Sequence, residues 1–101
     1  MLKNKNNITT PYVNSFNTSV YAQYTIQIDN RDKTQEKLKN AGIPTAIHYP
    51  IPLHKQPVFA NYFDCKLPVS ELISNKVLSL PMHPYLQDQE IELIVQKLND
   101  L

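Results

Sequence analysis

The sequence is short of the residues that build the common phosphate-binding and metal-binding motifs. Its 101 residues include one glycine, Gly42, and one cysteine, Cys65. A P-loop needs at least two glycines at fixed spacing and a dinucleotide-binding fingerprint needs three, so both motifs are excluded. A lone cysteine permits neither an internal disulfide nor a cysteine-based zinc site, which agrees with a reducing compartment.

Excess charge and long apolar runs are also missing. Ten lysine and arginine residues against nine aspartate and glutamate residues leave a net charge of +1, whereas nucleic acid or an anionic membrane is bound through clustered basic residues. No run approaches the roughly 18 consecutive apolar residues of a membrane span. The polar residues 1–7 have no apolar stretch typical of a secretion signal. We expect a cytoplasmic protein with no nucleic-acid or membrane partner.

The remaining composition indicates one small domain. With 42% hydrophobic and 19% charged residues, a chain of this length has room for a single core, because domains cluster near ~100–150 residues. Residues 1–19 are mostly Asn, Lys, Thr and Ser and are predicted to be an irregular lead-in with a few anchoring apolar side chains. Residues 20–101 are predicted to form the folded domain.

Alternating and helical patterns predict three strands and three helices in that domain. The strands are predicted at Val20–Ile28, Ile43–Tyr49 and Lys76–Leu80. The helices are predicted at Arg31–Ala41, Val69–Asn75 and Asp88–Asp100. Because the turns between them are too short for several parallel crossovers, the expected fold class is α+β. It is a two-layer sandwich, in which helices cover one face of a small, mainly antiparallel sheet.

Two helix ends carry specific signals. Gly42 stands where a left-handed residue would end the first helix, and Asp88 is the predicted N-cap of the last one. Four apolar side chains of the last helix recur at helical spacing and are predicted to pack on the sheet: Ile91, Ile94, Val95 and Leu98.

The unusual stretch is HYPIPLHKQPVF, residues 48–59, which follows a predicted strand and is stiffened by three prolines. Rigid loops at strand ends are where binding residues tend to lie. The residues alone leave two interpretations open. Either the loop carries a binding site, or the prolines only set a turn, with Tyr49 and Phe59 in the core and His48 and His54 as ordinary, partly buried imidazoles.

Metal and nucleophile chemistry have little support in the sequence. The three histidines do not have the spacing of a zinc site, so no metal is expected. Cys65 would form a catalytic pair with a histidine only through a fold that the sequence does not specify. Ser70 and Ser79 lack the glycines of a nucleophile elbow. A self-contained Cys/His hydrolase is therefore kept only as a minor alternative.

Five segments, in this order and spacing, resemble the C-terminal small domain of the DegT/StrS family of PLP-dependent sugar-nucleotide aminotransferases. They are SVYAQYTI (Ser19–Ile26), NRD (Asn30–Asp32), AGIPTAIHYPIPLHKQPVF (Ala41–Phe59), LPVSELIS (Leu67–Ser74) and VLSLPMHPYLQDQEIELIV (Val77–Val95). The resemblance covers about residues 8 to 98 and is greatest to the branch that aminates 3-keto UDP-N-acetylhexuronic acids for surface polysaccharides. It implies the small-domain fold of fold-type I aminotransferases.

The resemblance also implies which parts of the active site are in this chain. In the family, the PLP-binding lysine and most other cofactor contacts lie in a large N-terminal domain that is not present here, so we expect no PLP and no transamination for this chain alone. His48 and Tyr49 match a pair that faces the sugar nucleotide, where they would recognise substrate. His54 and Gln56 match the motif and are interpreted as loop-shaping, and His83 as structural. No catalytic, cofactor-binding or metal residue is assigned.

Two hypotheses follow. The first is the small domain of a sugar-nucleotide aminotransferase, present as a truncated gene product, a split subunit or an excised fragment; Met1 fits a start codon in each case. Its partners would be a UDP-sugar in the complete enzyme and a large-domain subunit in trans, or a second copy in a homodimer. The alternative is a non-enzymatic binding or interaction module derived from that domain, which associates through its apolar face.

Overall fold

Three short strands form an antiparallel sheet in the computed structural model, which describes residues 2, 7–62 and 64–101. The strands are β1 (Ile8–Thr9), β2 (Tyr24–Ile28) and β3 (Val77–Leu80), in the spatial order β1-β2-β3. Ile8 lies opposite Ile28, and Ile26 lies opposite Leu78. These cross-strand pairs place branched apolar side chains side by side on one face of the sheet.

The described residues also form three α-helices: α1 (Arg31–Asn40), α2 (Pro68–Ser74) and α3 (Asp88–Asn99). Two short 3₁₀ turns, Leu53–Lys55 and Pro57–Phe59, lie between α1 and α2. The core joins α1 and α3 to one face of the sheet, and its buried members are Ile8, Ile26, Ile28, Leu38, Ile43, Leu78, Ile94 and Leu98. The predicted α+β class is confirmed, and each predicted helix is present with its ends shifted by no more than one residue. Within the described residues no helix has the length and apolar character needed to cross a membrane.

The end of α1 confirms the role predicted for Gly42. Its φ of 78° is left-handed, and its N–H donates to the carbonyl of Lys39 over 3.0 Å. The N–H of Ile43 donates to the carbonyl of Leu38 over 2.9 Å, and both side chains are buried in the core. This is a Schellman motif with its hydrophobic contact, which stops the helix and returns the chain to the core.

The strand predicted at Ile43–Tyr49 is wrong. Only Ala46 pairs there, in an isolated bridge with Ser79, through two backbone bonds of 3.1 and 2.7 Å. Pro44 lies within the segment and Pro50 follows it, and their missing N–H groups prevent a longer ladder. The strand that completes the sheet besides β2 and β3 is β1, which lies within the predicted irregular lead-in.

Two other boundaries differ from the predictions. β2 begins at Tyr24 rather than Val20, because Tyr21 has a left-handed φ of 46° that interrupts the extended chain. The N-cap of α3 is Gln87, not Asp88; its N–H donates to Oε2 of Glu90 over 2.8 Å in a capping box. That bond satisfies the backbone N–H of the N-cap residue at the start of the helix. Asp88 is the first residue inside the helix and is therefore not its N-cap.

The apolar stripe of α3 is narrower than the predicted one. Ile94 and Leu98 are buried in the core and Val95 is half-buried, whereas Ile91 is 41% exposed. The stripe that packs on the sheet is therefore centred on Ile94 and Leu98, and Ile91 lies at its solvent edge.

Candidate functional site

An open groove of about 410 Å³ lies between the proline-rich loop and α2. Side chains alternate along β3, so Val77 points away from the face that carries Leu78, and it lines the floor of this groove together with Ile73. Most of the other walls are apolar as well. The described lining residues are His48, Tyr49, Ile51, Pro52, Leu53, His54, Cys65, Leu67, Ser70, Ile73, Ser74 and Val77.

His48 and Tyr49 stand at the exposed part of this groove. Their rings meet nearly edge to face, with centroids 5.6 Å apart and planes inclined by 67°, and the peptide bond between them is cis. Tyr49 is 74% exposed, so the interpretation that buried it in the core is wrong. Among the described residues neither side chain takes part in a hydrogen bond. Both side chains are exposed, so their polar groups are accessible to a ligand.

His54 is held very differently. The residue is buried, at 8% exposure, and its Nε2 lies 3.0 Å from Oε1 of Glu71 on α2. The neighbouring Lys55 donates from Nζ to Oε2 of the same carboxylate over 2.9 Å. Gln56 donates from Nε2 to the carbonyl of Ile51 over 3.1 Å, across the loop. These contacts agree with the loop-shaping interpretation of His54 and Gln56.

Glu71 is the residue of this site that the sequence analysis did not identify. Besides the two side chains, the backbone N–H of Leu67 donates to its Oε1 over 3.2 Å. These donors, His54 first, lower the pKa of the Glu71 carboxyl to about 2, because they favour its charged form. The available signal was an acidic residue in the first turn of a helix opened by Pro68; its contact with a histidine 17 residues away is tertiary and has no pattern in the sequence.

The remaining candidates for chemistry are not assembled into a catalytic group. Cys65 is exposed, and no hydrogen bond joins it to a histidine in the described part of the chain. His83 lies outside the groove, where its Nδ1 accepts from the N–H of Tyr85 over 3.3 Å, which fits a structural role in a turn. Over the described residues no cluster of three His, Cys, Asp or Glu side chains could hold a metal ion.

The groove does not fit PLP, the cofactor that the resemblance implies. Its described lining has no lysine for covalent attachment, no arginine for the phosphate and no carboxylate for the pyridine nitrogen. Two described lysines form ion pairs outside the groove lining: Lys55 pairs with Glu71, and Lys76 pairs with Asp29 at 2.8 Å. What the groove offers is a site of recognition, with an imidazole and a phenol at the edge of an apolar wall.

Comparison with known proteins identifies the family to which this chain is similar. The family described as the DegT/DnrJ/EryC1/StrS aminotransferase family matches residues 1–99. The UDP-2-acetamido-2-deoxy-3-oxo-D-glucuronate aminotransferase of Pseudomonas aeruginosa is 52% identical over 93 residues, which are 92% of this chain and 26% of that protein. The UDP-N-acetyl-3-dehydro-alpha-D-glucosamine 3-aminotransferase of Acidithiobacillus ferrooxidans is 44% identical over 75 residues, which are 74% of this chain and 20% of that protein.

The solved structures agree with the sequence comparison. The crystal structure of a DegT DnrJ EryC1 StrS aminotransferase from Brucella abortus superposes with a TM-score of 0.84 at 38% identity, over 92% of this chain and 26% of that one. The chain thus spans about a quarter of the length of the relatives it matches. With its sequence matched from residue 1 to residue 99 and its fold matched to a member, this chain belongs to the DegT/DnrJ/EryC1/StrS aminotransferase family.

Proposed function

We propose that this chain, with β1 as part of its sheet, is the C-terminal small domain of a PLP-dependent aminotransferase that acts on a keto sugar nucleotide. The observation that carries the proposal is the exposed His48–Tyr49 pair, unpaired within the described residues and set against an apolar groove. The names of the two relatives support a UDP-linked keto sugar as substrate. The product would serve the synthesis of surface polysaccharides or other modified sugars, in the cytoplasm.

In this proposal His48 and Tyr49 recognise the sugar and take no part in proton transfer. An imidazole N–H and a phenol O–H are suited to donate to the carboxylate or a hydroxyl of a hexuronate, and a bond to a charged acceptor is stronger than one between neutral groups. Ile51, Leu53 and Leu67 form an apolar wall beside the pair; once the substrate and the large domain cover this wall, water would be excluded from these bonds and they would be stronger.

The chemical step requires a part that this chain does not supply. Because the described groove offers PLP no attachment, we propose that the chain alone holds no cofactor and does not transaminate. The large domain would come from the rest of the same polypeptide or from a subunit in trans, and a homodimer would bring two such sites together.

A second candidate function is a non-enzymatic interaction module. Its support is the number of large apolar side chains that the chain leaves exposed, foremost Tyr12, Phe16 and Val20 in the segment between β1 and β2. Such exposure is typical of a surface that another protein covers. The two functions separate on one measurement, since only the enzyme hypothesis expects activity when a large domain is added.

The test uses a hybrid enzyme: the Pseudomonas relative with its matching segment replaced by this chain. We expect His48→Ala and Tyr49→Phe each to lower kcat/KM for the relative's sugar nucleotide, with a loss of transition-state stabilisation of about 1–3 kcal/mol, because a buried partner on the substrate loses its bond. The absorbance of bound PLP should not change. His83→Ala, an exposed histidine outside the groove, is the matched control. Unchanged kinetics in both groove variants would contradict the proposal.

A further inference from the structure

The carboxylate of Glu71 ties together the two walls of the groove. On the loop side it contacts Nε2 of His54 at 3.0 Å and Nζ of Lys55 at 2.9 Å. On the α2 side it accepts the N–H of Leu67 at 3.2 Å. The His54 side chain is nearly inaccessible and that of Glu71 is 28% exposed. A charge-assisted contact to a buried ring in this setting is stronger and more directional than an exposed ion pair.

The loop that carries His48 and Tyr49 is fixed at both ends. Before it, Ala46 exchanges two backbone hydrogen bonds with Ser79 of β3. After it, His54 is held by Glu71. Between these two anchors Pro50 and Pro52 restrict φ, so the chain has few ways to absorb a shift at either end. The direction of the two recognition side chains therefore depends on both anchors.

We propose that Glu71 is a positioning residue that sets the direction of His48 and Tyr49 toward the sugar nucleotide, through His54. The proposal rests on the proposed function for the identity of the ligand, but the positioning itself is a property of this chain. Glu71→Gln keeps the size of the side chain and removes its charge and one of its two acceptor oxygens. The amide cannot accept from His54 and Lys55 at separate oxygens, so the loop is released without opening a cavity.

The first measurement follows the chain itself by NMR. In the parent chain we expect a nuclear Overhauser contact between the rings of His48 and Tyr49, whose centroids are 5.6 Å apart. Glu71→Gln should abolish it and shift the amide signals of the loop. Asp29→Asn removes a second carboxylate–lysine pair among the described residues, that with Lys76, and should leave the contact in place. His54→Asn removes the Nε2 that contacts Glu71 and should also abolish the ring contact. This variant provides the test if Glu71→Gln does not fold.

The second measurement uses the hybrid enzyme. Glu71→Gln should raise KM for the sugar nucleotide roughly 10-fold and leave kcat within about twofold, because misdirected groups weaken binding and do not touch the reacting atoms. Combining it with His48→Ala should add little to the effect of His48→Ala alone, since residues that act as a unit are not additive. Asp29→Asn should leave both constants unchanged.

The outcomes separate the two proposals. If Glu71→Gln and His54→Asn both preserve the ring contact in the chain, the positioning role is overturned, whatever the kinetics show. If the ring contact is lost while His48→Ala and Tyr49→Phe leave the kinetics of the hybrid enzyme unchanged, positioning is supported and the proposed substrate recognition is overturned. A fall in kcat with unchanged KM in Glu71→Gln would also contradict a positioning role in binding.

Discussion

Arg31, the chain's one arginine, donates from Nη1 to the backbone carbonyl of Ser74 over 3.0 Å. The residue is buried, at 8% exposure, and begins α1, whereas Ser74 ends α2. The same nitrogen lies 3.5 Å from the carbonyl of Val77, and Nε is 2.6 Å from the carboxylate of Asp32. One guanidinium thus satisfies carbonyls at the turn from α2 into β3, next to the floor of the groove.

Replacing Arg31 by methionine should lower the free energy of unfolding by about 1–3 kcal/mol, because the buried carbonyl of Ser74 then has no donor. Lys33→Met, at an exposed position of the same helix, should change it by less than about 0.5 kcal/mol. Urea denaturation of the two variants measures the difference. Equal midpoints for both would mean that the Arg31 contact contributes nothing to stability.

The stability of the chain should depend on pH through Glu71. Its pKa is lowered from 4.5 to about 2 in the folded state, first by the hydrogen bond from His54 and then by Lys55. A group whose folded-state pKa is depressed contributes stability that is fully present above its unfolded value and is lost as pH falls through the folded one. The contribution is therefore complete above about pH 4.5 and disappears toward pH 2.

Thermal melts across this range test the pH dependence. We expect the melting temperature of the parent chain to exceed that of Glu71→Gln by a constant amount above about pH 5, and the gap to close between about pH 4.5 and pH 2. Glu92→Gln, an exposed position on α3, controls for the loss of one negative charge. A gap that stays constant down to pH 2 would show that the Glu71 contacts do not form in solution.

The local sequence signals predicted the helices better than the sheet. Gly42 ends α1 because a left-handed φ of 78° strains any other residue, and the helical spacing of Ile94 and Leu98 places both in the core. The sheet was predicted less well. β1 has two residues, too few to show a period of two, and only pairing with β2 makes it a strand. The segment Ile43–Tyr49 has strand-forming residues, but Pro44 within it and Pro50 directly after it reduce its pairing to one bridge.

The residues of the candidate site also differ in whether the sequence could predict them. The motif around residues 48–59 and its family resemblance predicted His48 and Tyr49 as substrate-facing, and that assignment stays a prediction; the structure brings both to the edge of a groove. Glu71 was not predicted because nothing in the sequence relates it to His54. Its role arises when the loop and α2 pack together, and such contacts depend on the tertiary fold rather than on local pattern.

Ile94 lies on the core side of α3 and Ile91 at its solvent edge, so a charged side chain should destabilise the chain far more in place of Ile94 than in place of Ile91. Ile94→Asp should unfold the chain, because an unpaired carboxylate at a site that is 9% exposed costs several kcal/mol against a total stability of about 5–15 kcal/mol. Ile91→Asp, one turn earlier and 41% exposed, should retain a cooperative melt. Circular dichroism on heating measures both. An Ile94→Asp variant that melts like the parent would show that α3 does not pack on the sheet.

The chain alone should not form a stoichiometric covalent adduct with PLP. A lysine that binds PLP needs a pocket that lowers its pKa and excludes water, and the described lining of the groove contains no lysine. After incubation with PLP and reduction with borohydride, we expect only scattered, substoichiometric labelling of surface lysines by peptide mass spectrometry. The hybrid enzyme is the positive control, with one labelled lysine outside residues 1–101. One fully labelled lysine within this chain would contradict both the prediction and the proposal that the cofactor site lies in the large domain.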